Sequence, residues 1–522
     1  MKEANIRALF IMILSVAGIL VYCTLSKGHD WGGDFAAYIM QARSIFEGNP
    51  SKFIEENSFT MLQSSRKIGP IAYPWGFPAL LSPLYGIFGI NMIALKSIGA
   101  IFFLFYLCLL FIGFRKYHSS FWVLCLVCIF SLNPFLLEFL DNVLSDIPFL
   151  LFSTITVLLI GLLIIEKRQF ISPICDNIVL GILIAIAFFV RTNGILLLLT
   201  LTSTQLFILI QRILTGQVAN FSWSAVTRSH LSWNSKAVYS CLLAFLPYVS
   251  FLGLVLLWNG FFPDGGSSHM SYLSKISMHS IFYNLLYYAK LPADFFSMGI
   301  FGYLIYVITI PYVIKGLIIR YRSDYHIIIY VILTILLYIF WPERQGLRFL
   351  FPVLPFCVSF ALIGMEAFQD VQDGSTKIKQ FLRKKVSFLL IFFVISSFGI
   401  RSIRYAYLNI IHNREISIGP FTATSEKMFS FINENTKPES TVIFFKPRVM
   451  RMMTGRKSII RDTAKGLSSG DYLCLKNEAG DQVSPKVIMY LSEHGAAQLI
   501  YENSEFKIYQ LMKDHIYRSC GK

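Results

Sequence analysis

Several short stretches of this 522-residue chain put carboxylates, cations and aromatic hydroxyls at the ends of long apolar runs. Ionised groups near a membrane are costly and are expected to serve a function. Asp34 follows Gly32-Gly33 and opens "DFAAYIMQARSIF". The helical spacing of its apolar residues predicts a short interfacial helix carrying Asp34 and Tyr38 on one face. Asp34 suits a helix cap, and a capping carboxylate can still offer an oxygen as a general base or metal ligand. The glycine pair predicts a tight turn, with His29 and Asp30 assigned to the exposed loop before it. Arg66 and Lys67 are basic residues in an otherwise acidic loop, and Tyr73 and Trp75 belong to a rigid "YPWGFP" turn. That turn is read either as an interfacial anchor or as a substrate contact. Asp141 and Asp146 lie in "DNVLSDIP", where Asp146 is a good helix start. Arg191 heads a polar knot, "RTNG", and Glu343, Arg344 and Arg348 lie in "WPERQGLRFLFP". If that stretch is helical, Arg344 and Arg348 point the same way, and paired guanidinium forks suit phosphate oxygens. The arginines could alternatively snorkel to lipid headgroups. Together these groups suit transfer from an anionic lipid, with cations holding a phosphate leaving group and a carboxylate deprotonating an acceptor hydroxyl.

The elements that must position such groups are mostly membrane spans. The chain is 55% hydrophobic, 16% aromatic and 15% charged, a composition far more apolar than that of soluble domains. Runs near 8–25, 79–113, 120–138, 147–165, 177–190, 194–211, 237–258, 297–318, 325–341, 348–365 and 386–400 predict about eleven helical spans. The run at 79–113 reads as one long span or as a span with a re-entrant preface. The first run follows Lys2 and Arg7 without a clear cleavage site and reads as a retained signal anchor. The net charge of +16 does not indicate nucleic acid, because the basic residues collect in alternate loops. Arg115 and Lys116, Lys167 and Arg168, Arg212, Lys315 and Arg320, and Lys377 to Lys385 mark the cytoplasmic side. The acidic loops 28–78 and 138–146, with 259–296 and 342–348, then face outward. Residues 401–522 also fall outside and read as a small α/β domain, with strand-like "STVIFF" and "AQLIYE" between helical patterns. The nine cysteines are scattered, and Cys125 and Cys128, though spaced as CxxC, lie inside an apolar run without a second ligand pair.

The stretches "GGDFAAYIMQARSIFEGN", "YPWGFPALLSPLYGIFG", "DNVLSDIPFLLF", "FFVRTNGILLLL" and "GLRFLFPVLPF" occur in an order that resembles the glycosyltransferase C superfamily. The similarity is to bacterial relatives of the protein O-mannosyltransferases and the lipid A aminoarabinose transferase, and it covers roughly residues 1–365. The resemblance implies a membrane catalytic domain over 1–400 and an extracytoplasmic domain over 401–522. It implies transfer of a single sugar from a polyprenyl-phosphate sugar to a lipid, glycan or protein acceptor outside the cytoplasmic membrane, with inversion and without a nucleotide. It places the first-loop acid at Asp34, a second acid at Asp146 or Asp141, and donor-phosphate contacts at Arg66 or Lys67 and Arg348. Arg344 is read as a further phosphate contact, and Tyr38, Tyr73, Trp75, Arg191 and Glu343 as substrate contacts. The chain lacks the Asp-Glu pair of the eukaryotic mannosyltransferases, and "RKIGP" lacks the acidic residue of the aminoarabinose enzyme. A divalent cation at Asp34 and His269 is the one cofactor reading, although neither His269 nor the nearby Asp264 and His279 shows tight metal-ligand spacing. No Walker A or GxGxxG motif is present. The alternatives are an O-antigen ligase or polymerase-like enzyme, which would hold its arginines in one very large loop, and a lipid or sugar transporter, which would carry mid-span charges.

Overall fold

The structure, a computed structural model, describes residues 3–66, 68–215, 235–265, 276–369, 377–477 and 482–520. Among the described residues eight helices are long and apolar enough to cross a membrane. These are α1 (Glu3–Thr24), α5 (Met92–Phe114), α8 (Asp146–Ile160, continued by a π turn to Ile165), α9 (Pro173–Val190), α10 (Ile195–Leu214), α11 (Ser235–Phe261), α13 (Ile300–Arg320) and α16 (Lys377–Ile411). A ninth is broken: α6 (Ser120–Ser131) and α7 (Pro134–Leu140) meet at 49°. The break has a local cause, since Pro134 cannot continue the ladder. Asn133 caps α7 by accepting from the Leu136 amide at 3.0 Å. The apolar helices α14 (Tyr325–Phe340) and α15 (Leu354–Gln369) have 16 residues each, just under the ~17–25 needed to cross a bilayer untilted. Each of the expected apolar runs therefore coincides with a helix or a broken one.

The run at 79–113 is not one continuous helix. A shorter helix, α4 (Gly76–Phe88), precedes α5, and the chain breaks at Gly89, whose φ of 61° favours glycine. Within the body α1 packs against α5 and α16, α9 against α11, and α13 against α15. Gly316 and Gly364 allow the last of these approaches, since a Cβ on either would meet a backbone carbonyl oxygen of the partner helix at 2.0 Å.

The first loop carries α2 (Asp34–Phe46) and α3 (Pro50–Leu62), with α2 packed on α4. The segment before α2 departs from the sequence reading. His29 is 4% exposed and stacks on Phe35 at 3.9 Å, so it is a core residue, while the neighbouring Asp30 is exposed as expected. Neither Gly32 nor Gly33 has positive φ, so no left-handed turn is needed there.

After α16 come α17 (Ala423–Asn435), α18 (Pro447–Thr454), α19 (Pro485–Glu493), α20 (Lys513–Cys520) and a five-stranded sheet ordered β2-β1-β3-β5-β4. Its strands are β1 (Thr441–Ile443), β2 (Lys457–Ile459), β3 (Tyr472–Lys476), β4 (Ala497–Glu502) and β5 (Phe506–Leu511). β1 runs parallel to β2 and β3, with Val442 opposite Tyr472, and β5 lies antiparallel to β3 and β4. This is the small α/β domain the tail predicted. It does not stand apart from the membrane body, because Trp31, Phe35 and Trp75 of the first loop share one apolar cluster with Phe429, Phe444, Met450 and Phe506. Trp31 alone has four of that domain's phenylalanine rings within 6.4 Å.

Candidate active site

Gly33 occupies the cap position of α2, so Asp34 stands at the first helical residue and its carboxylate is not the cap. The Tyr73 hydroxyl donates to Asp34 Oδ1 at 2.5 Å, and Arg348 Nη2 lies 3.7 Å from Oδ2. Tyr73 is pinned from behind: its amide donates to Gln41 Oε1 at 3.0 Å, and Gln41 Nε2 donates to its carbonyl at 2.9 Å. Tyr38, one turn along α2 from Asp34, has its ring centroid 4.6 Å from that of Tyr73 and its hydroxyl 3.0 Å from Ser145 Oγ. Burial, then the nearby Asp34 charge, raises the Tyr73 hydroxyl well above the ordinary tyrosine range, and burial raises Tyr38 likewise. Both are therefore neutral near pH 7, able to donate to a carboxylate or an alkoxide.

Asp146 repeats the arrangement on α8, with Ser145 at the cap and Asp146 first in the helix. Its Oδ1 accepts from Arg191, which ends α9. Phe349 joins the two centres, since the Arg191 and Arg348 guanidinium carbons each lie 6.0 Å from its ring centroid. Tyr338 stacks on its ring at 4.3 Å and accepts a hydrogen bond from Asn193 at 2.7 Å. The Asp34 side chain is 34% exposed and that of Asp146 only 3%, so the first carboxylate is open to a reactant and the second is closed off by its arginine.

Among the described residues Asp141, Trp75 and Arg344 find their partners elsewhere. Asp141 belongs to a separate buried knot: Lys96 Nζ is 2.7 Å from its Oδ1, and the Ser26 amide and hydroxyl donate to Oδ1 and Oδ2 at 2.6 and 2.7 Å. Lys96 also donates to the carbonyls of Ser26 and Gly28 and is wholly buried. Both Asp141 oxygens are thus taken, which leaves neither for a reacting group. Trp75 is 6% exposed, donates to the Pro263 carbonyl at 3.0 Å and stacks on Phe262, as a packing residue would. Arg344 and Arg348 do not share a helical face. Gly346, with φ 69°, starts a 3-10 turn over Gly346–Leu350 that leaves Arg344 outside. Arg344 instead donates to Asn284 Oδ1 at 2.8 Å and lies over Tyr283 at 4.2 Å. Glu343 and Arg66 are exposed, while Lys67 and His269 lie outside the described residues. Among the described residues no group of three His, Cys, Asp or Glu side chains could hold a metal ion.

Two residues escaped the sequence reading. Lys96 is a lone cation inside the first turns of an apolar helix, a signal present in "MIALKSIGAIFF". Arg448, on α18, is 1% exposed and donates to the Tyr73 hydroxyl at 3.4 Å. No local pattern in "KPRVMRMM" marks it, because its partner lies 375 residues earlier.

A model of the Alg9-like mannosyltransferase family matches residues 281–450, about a third of the chain. No curated protein matches the sequence. Among solved structures, ArnT from Cupriavidus metallidurans in the apo state is 13% identical with a TM-score of 0.57, over 97% of this chain and 98% of that one. The same protein bound to undecaprenyl phosphate is 12% identical, again with a TM-score of 0.57 and the same coverage. The archaeal oligosaccharyltransferase AglB from Archaeoglobus fulgidus, in complex with an inhibitory peptide and a dolichol-phosphate, is 10% identical with a TM-score of 0.54, over 97% of this chain and 74% of that one. The chain therefore has the glycosyltransferase C fold that its ordered stretches resembled. The family model and the fold together support a glycosyltransferase, and the apolar helices an integral membrane protein.

Proposed function

We propose that the chain is an inverting glycosyltransferase that moves one sugar from a polyprenyl-phosphate sugar to a hydroxyl of a lipid, glycan or protein outside the cytoplasmic membrane. The observation that carries this reading is the unlike state of the two Asp34 oxygens. Oδ1 is fixed by the Tyr73 hydroxyl, while Oδ2 faces Arg348 at 3.7 Å, beyond hydrogen-bond distance. Oδ2 thus keeps a lone pair directed at a cation-lined, partly open site, which suits a general base acting where an anion is bound.

In this reading the acceptor hydroxyl approaches Oδ2, transfers its proton to it and forms the new bond at the anomeric carbon. The bond from that carbon to the donor phosphate breaks at the same time, on the opposite face, so the configuration inverts. The phosphate monoester departs with the electron pair toward Arg348 and Arg191, whose guanidinium groups stabilise the charge that develops on its oxygens. Asp146 holds Arg191 in place. The energy comes from the phosphoglycosyl bond, so no nucleotide site is needed. The undecaprenyl phosphate in the Cupriavidus protein of the same fold and the dolichol-phosphate in the Archaeoglobus one support a polyprenyl phosphate as the leaving group. The loop charges support an N-terminus inside, with α2, α3 and the C-terminal domain outside.

Purified protein in lipid nanodiscs, given a panel of radiolabelled polyprenyl-phosphate sugars, should hydrolyse or transfer one of them. Asp34→Asn should bind that donor, melt as the unaltered protein does and lose turnover. Full transfer by Asp34→Asn would end the base assignment.

A further inference from the structure

Arg448 presents a physical problem. It is fully buried at 1% exposure and is the bulkiest of the wholly buried side chains, yet among the described residues it forms no ion pair. Its partners are neutral: Nη1 donates to the Tyr73 hydroxyl at 3.4 Å, and Nη2 donates to the Pro70 carbonyl and lies 3.6 Å from the Met61 sulfur. Nε has no hydrogen-bond partner among the described residues. A buried guanidinium without a carboxylate is costly, so its surroundings must compensate the charge at one remove.

They do so through Tyr73. That hydroxyl oxygen accepts from Arg448 while its proton goes to Asp34 Oδ1. The cation also lies 5.5 Å from the centre of the Tyr73 ring. An opposite charge therefore sits at each end of one hydroxyl, and each bond polarises the other in the same direction. The loop is shaped to admit the arginine. Gly69 has φ 123°, and a Cβ there would stand 3.2 and 3.3 Å from the two guanidinium nitrogens. Arg448 itself comes from α18, so the charge is delivered by the C-terminal domain across the shared apolar cluster.

We infer that Arg448 is the positioning residue by which the C-terminal domain orients the Tyr73 hydroxyl, and through it the Asp34 carboxylate. The inference rests on Asp34 as the base. Arg448 is closed to solvent and touches no reactant. Its effect is to keep Oδ1 occupied by Tyr73 and so leave Oδ2 as the oxygen offered to the acceptor. The C-terminal domain is thereby part of the catalytic unit and not an appendage to it.

The test is a double-mutant cycle on the full chain in nanodiscs, with Tyr73→Phe, Arg448→Lys, Arg448→Met and the Tyr73→Phe/Arg448→Met pair, measuring kcat, donor KM and melting. Arg448→Met and Tyr73→Phe should each lower kcat about 10- to 100-fold, as loss of an outer partner of a reacting group does. Donor KM should stay within about twofold. The double variant should lose little beyond either single one, because both break the same chain. Arg448→Lys, which keeps the charge, should recover part of kcat and serves as the arginine variant of the cycle if Arg448→Met does not fold. Multiplying losses, or variants that melt early yet turn over normally when folded, would overturn the inference and leave Arg448 a packing residue. Asp34→Asn measured alongside separates the two claims: full activity there removes the base reading itself, whereas an inactive Asp34→Asn with an additive cycle removes only the role of Arg448.

Discussion

Asp141→Asn distinguishes a carboxylate that holds the fold from one that does chemistry. The substitution keeps the shape of the side chain but removes the carboxylate in contact with Lys96, whose ammonium is completely buried. Its other acceptors, the Ser26 carbonyl and hydroxyl and the Gly28 carbonyl, are neutral. Removing one partner of a buried pair costs about 3–5 kcal/mol because the other charge is stranded. The 13% exposure of the Asp141 side chain places the expectation toward the lower end. Removing the stranded charge as well, in Lys96→Met/Asp141→Asn, should recover about 1–3 kcal/mol of the loss, the size of a contact-pair coupling. The assay is thermal unfolding in detergent followed by intrinsic fluorescence, with donor turnover measured well below each midpoint. Asp141→Asn should melt markedly earlier but turn over nearly normally while folded. The knot also ties Ser26 and Gly28 to α5 and to the end of α7, so early loosening should expose the first loop to protease. An Asp141→Asn protein with unaltered melting and no turnover would refute the reasoning and return Asp141 to the reaction.

Arg191→Lys should lower kcat more than it lowers stability, since one ammonium replaces a planar fork facing Asp146; steady-state kinetics beside a melting curve checks the ratio. Gly76→Ala should destabilise by about 1–3 kcal/mol through overpacking, because the added Cβ would stand 2.5 Å from the backbone of Phe189; thermal melting reads it. In the C-terminal domain burial raises Asp471, but Lys513 at 2.7 Å and the Thr441 amide at 2.8 Å outweigh it and hold the carboxyl below its ordinary value of 3.8. A depressed folded value means that this stabilisation is present above 3.8 and is lost as pH falls below it. Asp471→Asn should therefore narrow the melting difference between neutral pH and about pH 3 by less than about 1 kcal/mol, as befits a partly exposed pair.

The amino-acid sequence alone determined the membrane body, because the length of an apolar run and the side on which lysines and arginines collect are properties of consecutive residues. It also brought out Asp34 and Asp146, each first in a helix beside a small cap residue, and the α/β character of the tail. Which carboxylate is free lay beyond it. Asp141 and Asp146 are five residues apart in one loop, and only the packing of α5 against α7 and of α8 against α9 gives the first a lysine and the second an arginine. Helical periodicity names the face a residue occupies but not the helix that will meet it. For the same reason Tyr73 found Asp34 across 39 positions and Arg448 found Tyr73 across 375. Those contacts exist because the apolar faces of the first loop and of the last domain close on one core, and that closure is a property of the whole chain.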